Sequence, residues 1–140
     1  MDEMRSKDNV VVLKTAFLIG AVADGVIAIE WFLISAGLVD LPVHPSFFVG
    51  SGQDFQYVLS IGGLFMLGWA VLLYWGSIRP VERRDVLLLT AVMLFIAILS
   101  DGVVFAHLFT TKQIVLGTSV KLSLVILFAG SYWHSKLIHG

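Results

Sequence analysis

Six residues whose side chains can bind a proton, a cation or a polar ligand lie within long apolar stretches of this 140-residue sequence. They are Asp24, Glu30, Trp31, Asp101, His107 and Lys121. An acid or a lysine at the centre of a hydrophobic helix costs about 2.5–3.5 kcal/mol on insertion scales, so such side chains face one another or water. In these surroundings carboxylates bind protons or cations, an indole face attracts a cation, and a histidine exchanges protons. The set therefore predicts a proton-, cation- or substrate-binding site, and we expect no metal centre.

Four apolar stretches hold these residues and must position them. The predicted spans cover residues 10–38, 55–78, 86–110 and 113–135, and each is long enough to cross roughly 30 Å of hydrocarbon as a helix. Composition agrees, because 58% of the residues are hydrophobic and 14% are charged, against roughly a quarter charged in soluble domains. The sequence predicts an all-α integral membrane protein, a four-transmembrane-helix bundle that forms a single transmembrane domain over residues 1–140.

Parts of the first and second halves of the chain resemble each other. Residues 24–26 and 101–103 both read Asp-Gly-Val, and the second and fourth spans end in Tyr-Trp-Gly-Ser and Tyr-Trp-His-Ser. Two parallel-repeated helical hairpins would explain both similarities. Identities this short among apolar residues also arise by chance, and no function follows from the symmetry.

Basic residues indicate the orientation, since cytoplasmic flanks carry an excess of Lys and Arg. One side of the four predicted spans carries seven of them, namely Arg5, Lys7, Lys14, Arg79, Arg83, Arg84 and Lys136, and the other side carries only Lys112. We expect a multi-pass protein of the plasma (inner) membrane with both termini in the cytoplasm.

The two longer connections have different expected roles. The inner loop brings Arg79, Arg83 and Arg84 to the lipid headgroups as a topology anchor, and the alternative is a site for an anionic lipid or a partner protein. The outer loop, residues 39–54, contains Pro42 and Pro45, which predict an ordered or interfacial turn.

Depth along the spans predicts how the charges pair. Asp101 and Lys121 lie at similar depth on consecutive helices joined by a short turn, which makes them the expected ion pair. Asp24 and Glu30 are six residues apart and so point about 120° from each other. The sequence does not indicate which cation faces them, and acids in this position can share a proton, a state that proton-coupled transporters use. Trp31 shares the helix face of Asp24 and would provide an aromatic wall for a cation.

Several functions fit these features. The first is proton- or cation-linked transport or binding, in a homo-oligomer or a larger membrane complex. An accessory or assembly subunit is the alternative, since polar side chains also hold transmembrane helices together. A membrane-embedded enzyme acting on a lipid ranks lower, because no activated nucleophile or phosphate loop is evident. Haem ligation would use His107 with His44 on the outer side, or His134 on the inner side. The spans supply only His107 and His134, which lie at opposite faces, so we expect no cofactor. We expect membrane lipids as partners. We expect no binding of nucleic acid, since the sequence has no basic stripe.

Overall fold

The protein is an all-α bundle whose four long helices are each apolar enough to cross a membrane. The computed structural model describes residues 2–39, 52–108 and 110–139, with side chains for 10–39, 52–107 and 110–137. Helix α1 spans Asp2–Ser35, α2 Gln53–Ile78, α3 Asp85–Val103 and α4 Thr111–His139, with a 3₁₀ turn at Ala106–Leu108. The predicted four-helix membrane bundle is therefore confirmed, and the chain is a multi-pass membrane protein.

The helices alternate in direction around the bundle. α1 packs along most of α2, and α3 packs along α4, while α1 also contacts α4 and α2 touches α3 over a small area. Two ends result. We call the end with the connections after α1 and after α3 the loop end, and the end with both chain termini and residues 79–84 the termini end.

Local sequence explains where α1 stops. Gly37 adopts a left-handed conformation with φ 69°, which costs a glycine little because it has no Cβ. The Leu38 amide donates to the Leu33 carbonyl at 2.9 Å, and the Gly37 amide donates to Ile34 at 3.0 Å. This is a Schellman motif, which satisfies carbonyls at a helix end. The helix thus ends three residues before the predicted limit at residue 38.

Glycines allow α1 and α2 to approach closely. A Cβ added to Gly76 of α2 would overlap the ring of Phe17, with Cδ1 at 2.7 Å. A Cβ added to Gly20 of α1 would lie 2.9 Å from both Leu73 Cδ1 and Phe128 Cζ. Gly20 therefore lies where α1 meets both α2 and α4, and its face of α1 is turned toward the bundle interior.

The apolar core lies in the half of the bundle near the termini end. All four helices contribute to one cluster of buried side chains, formed by Leu13, Ala16, Phe17, Leu73, Leu87, Ala91 and Phe128. All seven of these residues fall within three turns of the termini-end limit of a span. The core therefore fixes the helices at one end, while the ionisable residues lie at mid-span or toward the other end.

Some predictions concern residues that the structure leaves undescribed. The outer-loop turn, including His44, falls on residues 40–51, outside the described residues. The internal repeat stays a prediction, because the two hairpins differ in helix length and in the length of their connections.

Candidate functional site

Asp24 lies near the middle of the α1 span and faces the bundle interior. It follows Gly20 by one helical turn, and Gly20 contacts both neighbouring helices, so the two residues share the inward face. The Asp24 side chain is partly buried. Within the described part of the chain, no hydrogen bond or ion pair reaches its carboxylate. Asp24 is thus an acid at mid-membrane depth that lacks a described counter-ion.

Glu30 is on a different side of α1. It is 8% exposed, and it is not without an interaction partner. Ala28 and Phe32, each two residues away, both contact Gly63 of α2. Positions two apart on a helix point in nearly opposite directions. Glu30 therefore lies on a side of α1 that faces away from α2.

Trp31 fills space that α2 leaves free. A Cβ placed on Gly62 would lie 2.5 Å from Cζ3 and 2.8 Å from Cε3 of the indole. The ring is partly buried and lies three turns beyond Gly20 on the inward face. This contact fixes the indole on the wall between α1 and α2, and its role as a cation-binding wall stays a prediction.

Asp101 and Lys121 form the ion pair that their depth in the sequence predicts. Lys121 Nζ donates to Asp101 Oδ2 across the α3–α4 contact. The lysine side chain is 22% exposed and the aspartate 23%, so both are mostly desolvated. Such a pair avoids the cost of leaving either charge alone in an apolar environment.

The α1–α4 contact also shows which face of α4 carries Lys121. Gly20 of α1 faces Phe128 of α4, and the two helices are antiparallel. Moving seven residues from each toward the loop end reaches Ile27 and Lys121, which stay on the same faces because seven residues make two turns. Lys121 therefore lies two turns nearer the loop end than Phe128, on the same face of α4.

The predicted position of His107 within the third helix is wrong. α3 ends at Val103, and His107 lies in the 3₁₀ turn with its side chain exposed. The next helix, α4, is capped by Thr110. The Thr110 amide donates to Gln113 Oε1 at 2.9 Å, and the Gln113 amide donates to Thr110 Oγ1 at 3.4 Å. This capping box requires the chain to leave α3 early enough to turn into α4. His107 thus lies outside α3, with an exposed side chain.

The three inner-loop arginines have unequal surroundings. Arg79 and Glu82 form an exposed ion pair at 3.4 Å. The Arg83 guanidinium lies 3.2 Å from the centroid of the Trp75 ring and donates to the Trp75 carbonyl. Arg84 is partly buried at the start of α3. Headgroup contact by all three stays a prediction, and two of them already have partners within the chain.

Two polar features were not predicted from the sequence. Trp69 Nε1 donates to Thr90 Oγ1 at 3.3 Å, which links α2 to α3, and Thr90 donates to the Val86 carbonyl at 2.7 Å. Ser135 Oγ is buried, and among the described residues it has no hydrogen-bond partner. A threonine inside an apolar helix was the available signal for the first feature. The second has no sequence signal, since it depends on which face of α4 is covered.

Comparison of the chain with protein-family models, with curated proteins and with solved structures finds no match.

Proposed function

We propose that the protein binds a proton or cation at the carboxylates of α1 and moves it across the membrane. The observation that carries this proposal is Asp24, a mid-span acid on the inward face for which the described part of the chain provides no ion pair. Acids at this depth mark ion or proton pathways more often than they stabilise a fold. Asp24 would hold the ion at mid-depth, and Glu30 would hold it nearer the loop end.

The charge balance supports this reading. Away from the first turns of α2 and α4, where Asp54 and Lys112 lie, the described helices carry three acids at mid-span and toward the loop end, Asp24, Glu30 and Asp101, and one lysine, Lys121. For Asp24, which has no described ion pair, an uncompensated charge at the membrane centre costs about 2.5–3.5 kcal/mol. Binding a proton or a cation removes part of this cost, so the bundle has a physical reason to take one up.

The path is expected to involve more than one copy of the chain. Four helices with a packed core at the termini end enclose little volume, so a water-filled route is more readily formed between protomers. We therefore include a homo-oligomer or a larger membrane complex in the proposal, with lipids around it.

The test is ion uptake by proteoliposomes that contain the purified protein. Wild type should take up protons, Na⁺ or K⁺, and Asp24→Asn and Glu30→Gln should each abolish uptake while the helical content is unchanged. Asp85→Asn is the matched control, because Asp85 is an exposed acid at the start of α3. Equal uptake by wild type and both α1 variants would contradict the proposal. No uptake by folded wild type would favour an accessory subunit.

We also propose that the termini end faces the cytoplasm of a plasma membrane, because most basic residues lie there. The chain has no cysteine, so single cysteines report position without background labelling. A membrane-impermeant maleimide added outside cells should label His107→Cys and leave Lys136→Cys unlabelled until the cells are opened. The reverse labelling pattern would show the opposite orientation.

A further inference from the structure

We propose that the seam between α2 and α3 is the entrance to Asp24, and that the hydrogen bond from Trp69 to Thr90 closes this entrance. The seam is formed by residues 62–73 of α2 and 86–97 of α3. The inference rests on the proposed transport function and adds the route by which a proton or cation reaches the mid-span acid.

Trp69 lies at the depth of Asp24. Two contacts fix the register of α1 against α2, and they pair Gly20 with Leu73 and Ala28 with Gly63. Asp24 is midway along α1 between these two contacts. Trp69 is within one residue of the midpoint between the same contacts on α2, so the two residues are at the same depth to within about 1.5 Å.

The hydrogen bond of Trp69 crosses the seam at this depth. Its Nε1 donates to Thr90 Oγ1 at 3.3 Å, slightly longer than the usual upper value of about 3.2 Å. Thr90 donates its own hydroxyl to the Val86 carbonyl at 2.7 Å, so the threonine keeps a partner when the indole moves away. A neutral bond of this kind contributes little net free energy, which allows it to break and reform.

This hydrogen bond also marks the point where the packing of the seam changes. On the side of the termini end, Leu73 and Leu87 lie one turn away on the two helices, and both are fully buried. On the side of the loop end, Phe65 lies one turn away on α2 and is 75% exposed, and Met93 lies one turn away on α3 and is 54% exposed. The packed part of the seam therefore stops at the hydrogen bond, and the uncovered part begins there.

The other sides of the bundle are better covered. α1 packs along most of α2 and α3 packs along α4, while α2 and α3 touch over a small area. Asp24 is on the inward face of α1, which Gly20 places against both α2 and α4. Breaking the bond between Trp69 and Thr90 therefore uncovers the bundle interior on its least covered side, at the depth of the acid.

The first test measures access to position 24 and does not depend on transport. Asp24→Cys introduces the only thiol of the chain, and its reaction with a water-soluble methanethiosulfonate reagent is timed in proteoliposomes. Adding Thr90→Val removes the acceptor and keeps a branched side chain, so the reaction should be roughly tenfold faster, the factor expected for one lost hydrogen bond. Adding Thr90→Ser keeps the hydroxyl and should leave the rate unchanged.

A double variant shows whether the two side chains act through their mutual bond. Trp69→Phe removes the indole N–H and should speed the reaction as much as Thr90→Val does. Trp69→Phe combined with Thr90→Val should be no faster than either single change, because both remove the same interaction. Equal rates with Thr90→Val and Thr90→Ser would overturn the closure, and so would additive effects of the two changes.

A control thiol detects general loosening of the bundle. Ala16→Cys places a thiol in the packed core, where Ala16 is fully buried. This thiol should stay unreactive when Thr90→Val is added. If Thr90→Val exposed it as strongly as the thiol of Asp24→Cys, the bond would hold the whole bundle together and would not close an entrance.

A second measurement applies if Asp24→Cys does not fold. Trp69→Cys with Thr90→Cys is joined across the seam by a short bis-methanethiosulfonate reagent, and uptake of protons, Na⁺ and K⁺ is measured before and after joining. Joining should abolish uptake, and reduction of the link should restore it. The reagent should have no effect on wild type, which has no cysteine. Full uptake by the joined protein would overturn the entrance.

The outcomes separate this inference from the proposed function. Uptake that depends on Asp24 but is the same with the seam joined overturns the entrance and leaves transport intact. Absence of uptake by folded wild type, together with a faster thiol reaction when Thr90→Val is added, overturns transport and leaves the entrance to position 24 standing.

Discussion

Replacing Gly76 with alanine should destabilise the α1–α2 contact, whereas the same change at Gly68 should not. Both glycines are in α2. The space for a Cβ at Gly76 is taken by the Phe17 ring, with Cδ1 at 2.7 Å and Cζ at 2.8 Å, while a Cβ at Gly68 would meet nothing within 4 Å. Phe17 is fully buried, so its ring has little freedom to give way. The two substitutions are chemically identical and differ only in what lies opposite.

The expected magnitude follows from two opposing effects. Alanine in place of a helical glycine gains about 1 kcal/mol from helix propensity. Forcing an extra methyl group into a packed core costs about 1–3 kcal/mol. Gly68→Ala should therefore be neutral or stabilising by up to about 1 kcal/mol. Gly76→Ala should be less stable than Gly68→Ala by about 1–3 kcal/mol.

Unfolding in mixed micelles measures this difference. The helical signal is followed by circular dichroism as the fraction of sodium dodecyl sulfate rises, and the midpoints give the relative free energies of unfolding. Phe17→Leu removes the ring atoms, so Gly76→Ala should lower the free energy of unfolding by less in that background than in wild type. If Gly76→Ala were as stable as Gly68→Ala, the close α1–α2 approach would be wrong, and with it the inward position of Asp24.

Three further predictions use the same unfolding measurement or amide exchange. Lys121→Met should lower the free energy of unfolding by about 2 kcal/mol, which is less than the roughly 3–5 kcal/mol lost when one partner of a fully buried ion pair is removed. Adding Asp101→Asn should recover most of this loss. An additive double variant would contradict the pairing. Thr110→Ala should cost about 1 kcal/mol and speed amide exchange in the first turn of α4, and unchanged exchange would count against the capping box. Arg83→Ala should cost about 0.5–1 kcal/mol through the lost stacking on an indole, more than Arg84→Ala, and equal costs would argue against the stacking.

The four helices and one ion pair could be predicted from the sequence because both depend on distance along the chain. Long apolar runs determine which segments cross a membrane. Asp101 and Lys121 are at similar depth on consecutive helices, so a short connection brings them together. Neither prediction required knowledge of which helices are neighbours beyond each hairpin.

The remaining features depend on packing or on caps that hydropathy does not reveal. The apolar run continues past Val103, so hydropathy places His107 within α3, whereas α3 ends at Val103 and the capping box at Thr110 starts α4. The opposite sides taken by Asp24 and Glu30 follow from periodicity, but the helix that each side faces follows only from the contacts of Gly20 and Gly63. The stacking of Arg83 on Trp75 joins a residue of the α2–α3 connection to a residue of α2. Helical periodicity does not predict contacts of residues outside a helix.

Because the core is concentrated near the termini end, a helix can pivot about its core residues while its other end moves farther. Phe128 is part of the core, and Lys121 lies about 10 Å farther along α4. Pivoting α4 by about 10° around Phe128 displaces the backbone at Lys121 by about 2 Å. That distance separates a direct ion pair from one with water between the charges. A small rocking movement can therefore let water enter between Lys121 and Asp101 while the core stays packed.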